Sequence, residues 1–230
     1  MPSAGANPTA RPRQLAFALD HSESFARDDF LTGPSNETAL ALIERWPDWP
    51  SRMMLLVGPE GSGKSHLAAI WARMAGARVA AARTLDSAAV PAALATGALV
   101  LEGLGPNAFD ERALFHLINL MREEGAFVLA TARSAPASWQ LELPDLASRL
   151  RLAPVINLAA PDDALLRALI VKLFADRQLA VDENVVVYLA TRIERSFAGA
   201  RAAVEALDRE ALRLQRPVTR ALAGQLFREP

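Results

Sequence analysis

The residues with the clearest chemical meaning lie in GPEGSGKS at 58–65, which fits G-x-x-x-x-G-K-[ST] through Gly58, Gly63, Lys64 and Ser65. This order of residue types suits a nucleotide phosphate. Glycines let the chain turn so tightly that successive backbone N–H groups point inward at a β-phosphate, and a helix starting at the end of the loop adds the positive end of its dipole. Lys64 is spaced to reach the β- and γ-phosphates, and Ser65 to offer a hydroxyl to Mg²⁺. Pro59, Gly61 and His66 fill out the candidate cofactor-binding set. Of 25 basic residues all but Lys64 and Lys172 are arginine, so lysine here is not what the habit of the chain would supply. A glycine-rich turn with an incidental lysine is the competing reading, and the flanking elements weigh against it.

Phosphoryl transfer also needs an acidic strand end, where one carboxylate holds the Mg²⁺ shell and a neighbour polarises the attacking water. The candidate is ALVLEG at 98–103. Glu102 can hold the metal through water, while Gly103 cannot act as a base. Slow intrinsic hydrolysis follows unless Asp110, Glu111 or a partner supplies that group. The simpler alternative is that Glu102 only ends a strand.

These groups require strands and helices that place them. MMLLV at 53–57 is an apolar run short enough for a buried strand and runs straight into the glycine loop. Upstream, Ser35 or Asn36 can cap a helix in which Ala39, Leu42, Ile43 and Trp46 recur at 3.6-residue spacing, ended by Pro47 and Pro50. A helix is predicted over 64–75, with Gly76 as its C-cap. The alternation repeats: an edge strand at 78–82 and a helix at 86–95; a strand at 98–102 and a helix at 110–124 closed by Gly125; strands at 126–131 and 154–158. Such alternation implies right-handed βαβ units and a parallel sheet covered on both faces. Beyond Pro161 every segment reads as helix, at 162–178, 182–195, 197–214 and 219–227. The expected fold class is α/β, a P-loop NTPase body with a small all-helical C-terminal lid. The expected division is a flexible tail at 1–22, a body at 23–160 and a lid at 161–230.

Composition narrows the remaining classes. The chain has 230 residues, 51% hydrophobic and 22% charged, enough for a real core and too apolar for a disordered protein. It has no cysteine, which removes disulfides, thiolate catalysis and cysteine-ligated metal centres. Its three histidines, His21, His66 and His116, have no ligand spacing. A net charge of -1 gives no broad field for DNA or anionic lipid. No apolar stretch nears the roughly 18 residues of a membrane span, and the N-terminus lacks the apolar core of a signal peptide. A cytoplasmic protein with no membrane partner is expected.

The motifs in order, GPEGSGKSHL at 58–67, ALVLEG at 98–103, VLATARSAP at 128–136, LPDLASRLRL at 143–152 and GARAAVEALDR at 199–209, resemble the AAA+ module of the bacterial replication initiator DnaA, most of all its short Hda-type relatives. The resemblance covers nearly the whole chain from Gln14. It implies ADP or ATP with Mg²⁺ as cofactor. It implies that Phe30 and Leu31 of FLTGPSN lie beside the adenine ring, where Asn36 is alternatively only a helix cap. It implies that Arg149 of LASRL is an arginine finger entering a neighbouring subunit's ATP site, with Arg151 as the alternative, and that Arg201 reaches the phosphates bound in cis. VLATARSAP departs from the pattern, since Ala132 or Arg133 stands where DnaA-like proteins have an acidic residue. With Gly103, this favours a module that holds ADP over a fast ATPase.

QLAFAL at 14–19 resembles the short peptide by which such relatives bind the sliding clamp, the β subunit of DNA polymerase. Gln14 would make polar contacts at the pocket mouth, with Leu15, Phe17 and Leu19 as apolar anchors; an edge strand packed on the body is the alternative. The sequence ends straight after the lid, so no direct sequence-specific DNA binding is expected, and a homodimer is allowed. The implied function is regulatory inactivation of DnaA: the protein binds the clamp and stimulates ATP hydrolysis by DnaA, supplying an arginine in trans. The alternative is a self-oligomerising DnaA-like or helicase-loader-type ATPase acting directly on DNA. A small-molecule kinase, which a P-loop alone would permit, is opposed by the lid and by LASRL.

Overall fold

A computed structural model describes residues 25–227. Its centre is a five-stranded sheet in the order β2-β3-β4-β1-β5, made of β1 (Met53–Val57), β2 (Arg78–Ala81), β3 (Ala98–Leu104), β4 (Phe127–Ala132) and β5 (Val155–Asn157). Every neighbouring pair is parallel. The fold is the α/β class with a parallel sheet that the alternating pattern predicts, and β2 is at an edge as expected.

The sheet is covered on both faces because its strands are apolar in both directions. All of MMLLV is buried. In a strand successive side chains point to opposite faces, and accordingly Met53, Leu55 and Val57 join one core with residues of α3 (Val90–Leu94), α4 (Glu111–Glu124) and α5 (Pro144–Leu152). Met54 and Leu56 join the other, with α1 (Glu37–Glu44) and α2 (Lys64–Ala75). Trp71 of α2 is fully buried there and stacks on Trp49 with ring centroids 4.9 Å apart. Truncating a buried tryptophan of this kind costs about 3–5 kcal/mol.

A third core belongs to α6 (Asp163–Asp176), α7 (Glu183–Ala190), α8 (Phe197–Leu214) and α9 (Arg220–Leu226), with Phe174, Leu189 and Leu207 at its centre. Asp162, Ser196 and Thr219 each cap a helix here by accepting a backbone N–H through the side chain. Among the described residues no helix is long and apolar enough to cross a membrane.

Several boundaries differ from the sequence pattern. The helix expected at 86–95 is only Val90–Leu94, because the Asp86 carboxylate accepts the N–H of Ala89 at 2.8 Å and holds a turn instead. The helix expected at 182–195 stops at Ala190; the Leu189 carbonyl takes the N–H groups of both Arg192 and Ile193, tightening the chain into turns before the cap at Ser196. The expected strand at 98–102 continues to Leu104 through a register shift. Helix α5, carrying LASRL, was not expected as a helix. Its signals are Pro144 in the first turn, Asp145 beside it, and Leu146 and Leu150 four apart and buried.

Candidate nucleotide site

The glycine loop leaves the end of β1 and enters α2, as the phosphate-binding reading requires. Gly61 and Gly63 have φ of +68° and +92°, left-handed values that L side chains rarely adopt. A Cβ at Gly58 would stand 2.4 Å from the carbonyl oxygen of Leu158, so only glycine fits where the loop starts. Lys64 bends back over the loop and donates from Nζ to the carbonyls of Gly58 at 2.9 Å and Pro59 at 2.6 Å. Burial pushes the Lys64 pKa below its ordinary value; Arg133 pushes the same way and Glu60 opposes. Glu60 and Arg133 form an exposed ion pair at 2.6 Å beside the loop. Ser65 is exposed in the first turn of α2.

Beside the loop opens a cleft of about 510 Å³ between the sheet-bearing part and the helices after Pro161. Phe30, Leu31, Gly61, Gly63, Lys64, Ser65, His66 and Arg201 all line it, so these predicted cofactor residues share one cavity. Gly58 and Pro59 form the root of the loop and are outside the lining. The sequence pattern did not single out Phe25, Asp29, Leu169, Lys172, Leu173, Asp176, Arg177, Phe197 and Ala198, which complete the walls. Lys172 had a signal available, since it shares with Lys64 its rarity in an arginine-rich chain.

The apolar wall is aromatic. His66 meets Phe25 and Phe30 edge-on, with centroids 5.4 and 5.1 Å away. Its Nε2 lies 3.0 Å from the carbonyl of Ala26, an acceptor only, which assigns the proton to Nε2. Burial lowers the His66 pKa, as do Arg201 and Arg73, against the raising effects of the Ala26 carbonyl and Asp29. Asn36 stands at the start of α1 without capping it by its side chain. It accepts the N–H of Gly33 at 2.9 Å and donates to the carbonyl of Leu31 at 3.0 Å, fixing the loop that carries Phe30 and Leu31.

The C-terminal helices touch the glycine loop directly. Ser196 and Phe197 begin α8 against Gly61. About one turn further along α8, Arg201 faces the cleft.

At the acidic strand end, Glu102 is half-buried in β3, in register with Ala81 of β2, and is not part of the cleft wall. Gly103 has φ +77° and donates its N–H to Thr131 Oγ1 at 3.0 Å. Thr131 is buried, Ala132 is buried, and Arg133 leaves the strand end for Glu60. Among the described residues no group of histidine, aspartate and glutamate is arranged to hold a metal ion on its own. Mg²⁺ commonly takes phosphate oxygens and water with one or two protein groups, and Ser65 at the loop fits that chemistry.

Arg149 lies on α5, half-buried, donating to Asn119 Oδ1 and standing 4.6 Å over the ring of Phe115, both on α4. Arg151 is exposed in the next half-turn. Gln14, Leu15, Phe17 and Leu19 lie outside the described residues.

No family sequence model and no curated protein matches the chain. Solved structures do. Domain III of the replication initiation protein DnaA from Thermotoga maritima matches with a TM-score of 0.70 at 17% identity, over 90% of this chain and 98% of that one. AMPPCP-bound DnaA from Aquifex aeolicus matches at 0.66 and 15%, over 82% of this chain and 66% of that one. The Thermotoga maritima Holliday junction branch migration motor RuvB matches at 0.70 and 16%, over 88% and 70%. At these identities the likeness is one of fold: a glycine loop at the end of β1, a parallel sheet and C-terminal helices packed beside it are arranged as in the matched parts of DnaA and RuvB.

Proposed function

We propose that the protein is an Hda-type regulator of replication initiation, which holds ADP or ATP with Mg²⁺, binds the DNA sliding clamp through residues 14–19, and presents Arg149 to ATP-bound DnaA so that DnaA hydrolyses its nucleotide. Residues 1–22 act as the clamp-binding tail, 23–160 as the nucleotide-binding body and 161–230 as the lid. Gly58 to His66 hold the phosphates, Phe30 and Leu31 the base, and Arg201 the phosphate charge in cis.

The observation that carries this reading is the pairing of a complete phosphate loop with a strand end that has no base. Lys64 lies in its loop beside a cleft of nucleotide size, while Gly103 stands next to Glu102 and spends its N–H on Thr131. A site built this way binds and retains nucleotide better than it turns it over. Glu102 lies outside the cleft wall, so it would act on a Mg²⁺ shell only through water. A fixed guanidinium supplied in trans is worth about 10³–10⁵ in rate where it has been measured, and Arg149 is anchored on Phe115 and Asn119 as such a group must be. Binding of AMPPCP by a DnaA of the same fold supports adenine nucleotide as ligand.

The test is reconstitution. DnaA loaded with ATP is mixed with this protein and clamp loaded on DNA, and released phosphate is followed. The expected result is accelerated hydrolysis that needs the clamp and disappears with Gln14→Ala and Leu15→Ala. Turnover by the protein alone near 1 s⁻¹, at the low end of ordinary enzymes, with no effect on DnaA, would instead identify a self-sufficient motor.

A further inference from the structure

Lys172, on α6 of the lid, reaches the carboxylates of Asp29 and Asp176 at 2.8 Å each. All three line the cleft, and Asp29 belongs to a different part of the chain, 143 positions away. It ends the turn Arg27–Asp29 and is followed at once by Phe30, the buried aromatic of the cleft wall, while Ala26 just before the turn takes the ring of His66. The lid is thus tied by one ammonium to the short segment that shapes the base-side wall.

Two further observations make this bond more than a surface ion pair. The Lys172 side chain is 23% exposed and that of Asp29 32%, so solvent screens the contact less than at the rim. The hydrogen bonds to Asp176 and Asp29 also raise the pKa of Lys172. In addition, the chain uses arginine almost everywhere else. A compact ammonium can turn its three donors toward both carboxylates, whereas a planar guanidinium would need them in its own plane.

We propose that Lys172 is a positioning residue that clasps the lid to the base-side wall through Asp29 and thereby sets how long a bound nucleoside phosphate stays in the cleft. This rests on reading the cleft as the nucleotide site. Asp176, one turn along α6, keeps the ammonium aimed at Asp29. The clasp acts on escape of the ligand, because it joins the two walls between which the ligand must leave.

The experiment is stopped-flow release of a fluorescent ADP from the full chain, wild type against Lys172→Met, Asp29→Asn and the double variant. Each single change should speed release about fivefold, the scale of a partly screened ion pair. The double variant should be no faster than the faster single, since both remove one interaction. Raising KCl should speed release from the wild type by a larger factor than from Lys172→Met, where only the phosphate contacts remain to be screened, a difference that altered packing would not produce. Unchanged release from Lys172→Met, or effects that multiply in the double variant, would overturn the clasp. If the wild type binds no fluorescent ADP, the nucleotide reading of the cleft falls and the clasp with it; tight binding with an unaffected Lys172→Met sinks the clasp alone.

Discussion

The backbone N–H of Phe197, first residue of α8, donates to the carbonyl of Gly61 in the phosphate loop at 2.8 Å. Lid and loop are therefore joined through main chain, at a point where Gly61 has φ +68° and a Cβ would stand 2.7 Å from that of Ser196. Gly61→Ala combines a left-handed alanine with a clash against the lid, a cost of about 1–3 kcal/mol for the backbone alone. It should weaken ADP binding by at least tenfold and lower the melting temperature, read by titration with fluorescent ADP and by thermal denaturation.

Arg149 is held half-buried by Phe115 and Asn119, whereas Arg151 is exposed, so the proposed finger and its alternative can be told apart. Arg149→Ala should leave the protein's own nucleotide affinity unchanged and cut stimulated hydrolysis by DnaA about a thousandfold, the lower range for such fingers. Arg151→Ala should cut it little. The reverse ranking in the phosphate-release assay would move the finger to Arg151.

His66 makes stability depend on pH. Its pKa in the folded protein lies below the ordinary 6.5, chiefly through burial, so the unfolded chain binds the proton more readily. The neutral ring's contribution is full above pH 6.5 and is lost as pH falls through the folded value. Urea unfolding at pH 7.5 and at pH 5.5 should show a loss for the wild type that shrinks in His66→Gln.

Thr131 is a buried hydroxyl whose visible task is to accept the N–H of Gly103. Thr131→Val keeps the shape and strands that donor at a half-covered strand end. It should cost about 1 kcal/mol, seen in chemical denaturation with an unchanged slope.

Much of this was legible in the sequence because local chemistry and tertiary need coincide. MMLLV must be buried on both sides, GPEGSGKS must turn, and Gly76 and Gly125 end helices in left-handed conformation as their positions suggest. Phe30, Lys64, His66 and Arg201 were expected near one ligand, and they line one cleft. The lid-side wall was not legible. Asp29 and Asp176 are ordinary surface residues in sequence, Lys172 stands out only by its rarity, and only the docking of α6 against the turn at 27–29 brings the three together. Helix α5 was hidden for a different reason: nine residues with two buried leucines give too short a period to stand out. Glu102 was expected at the site by its place after an apolar run, but the strand continues past it to Leu104 and leaves it beside Ala81, outside the cleft wall.

The left-handed turn at Gly103 also sets what a substitution there would cost. An aspartate or glutamate placed there by one substitution would inherit φ +77°, a conformation that costs an L residue about 1–2 kcal/mol, although its Cβ would meet nothing within 4 Å. Placing a second carboxylate beside Glu102 therefore meets resistance from the backbone and none from a neighbouring side chain.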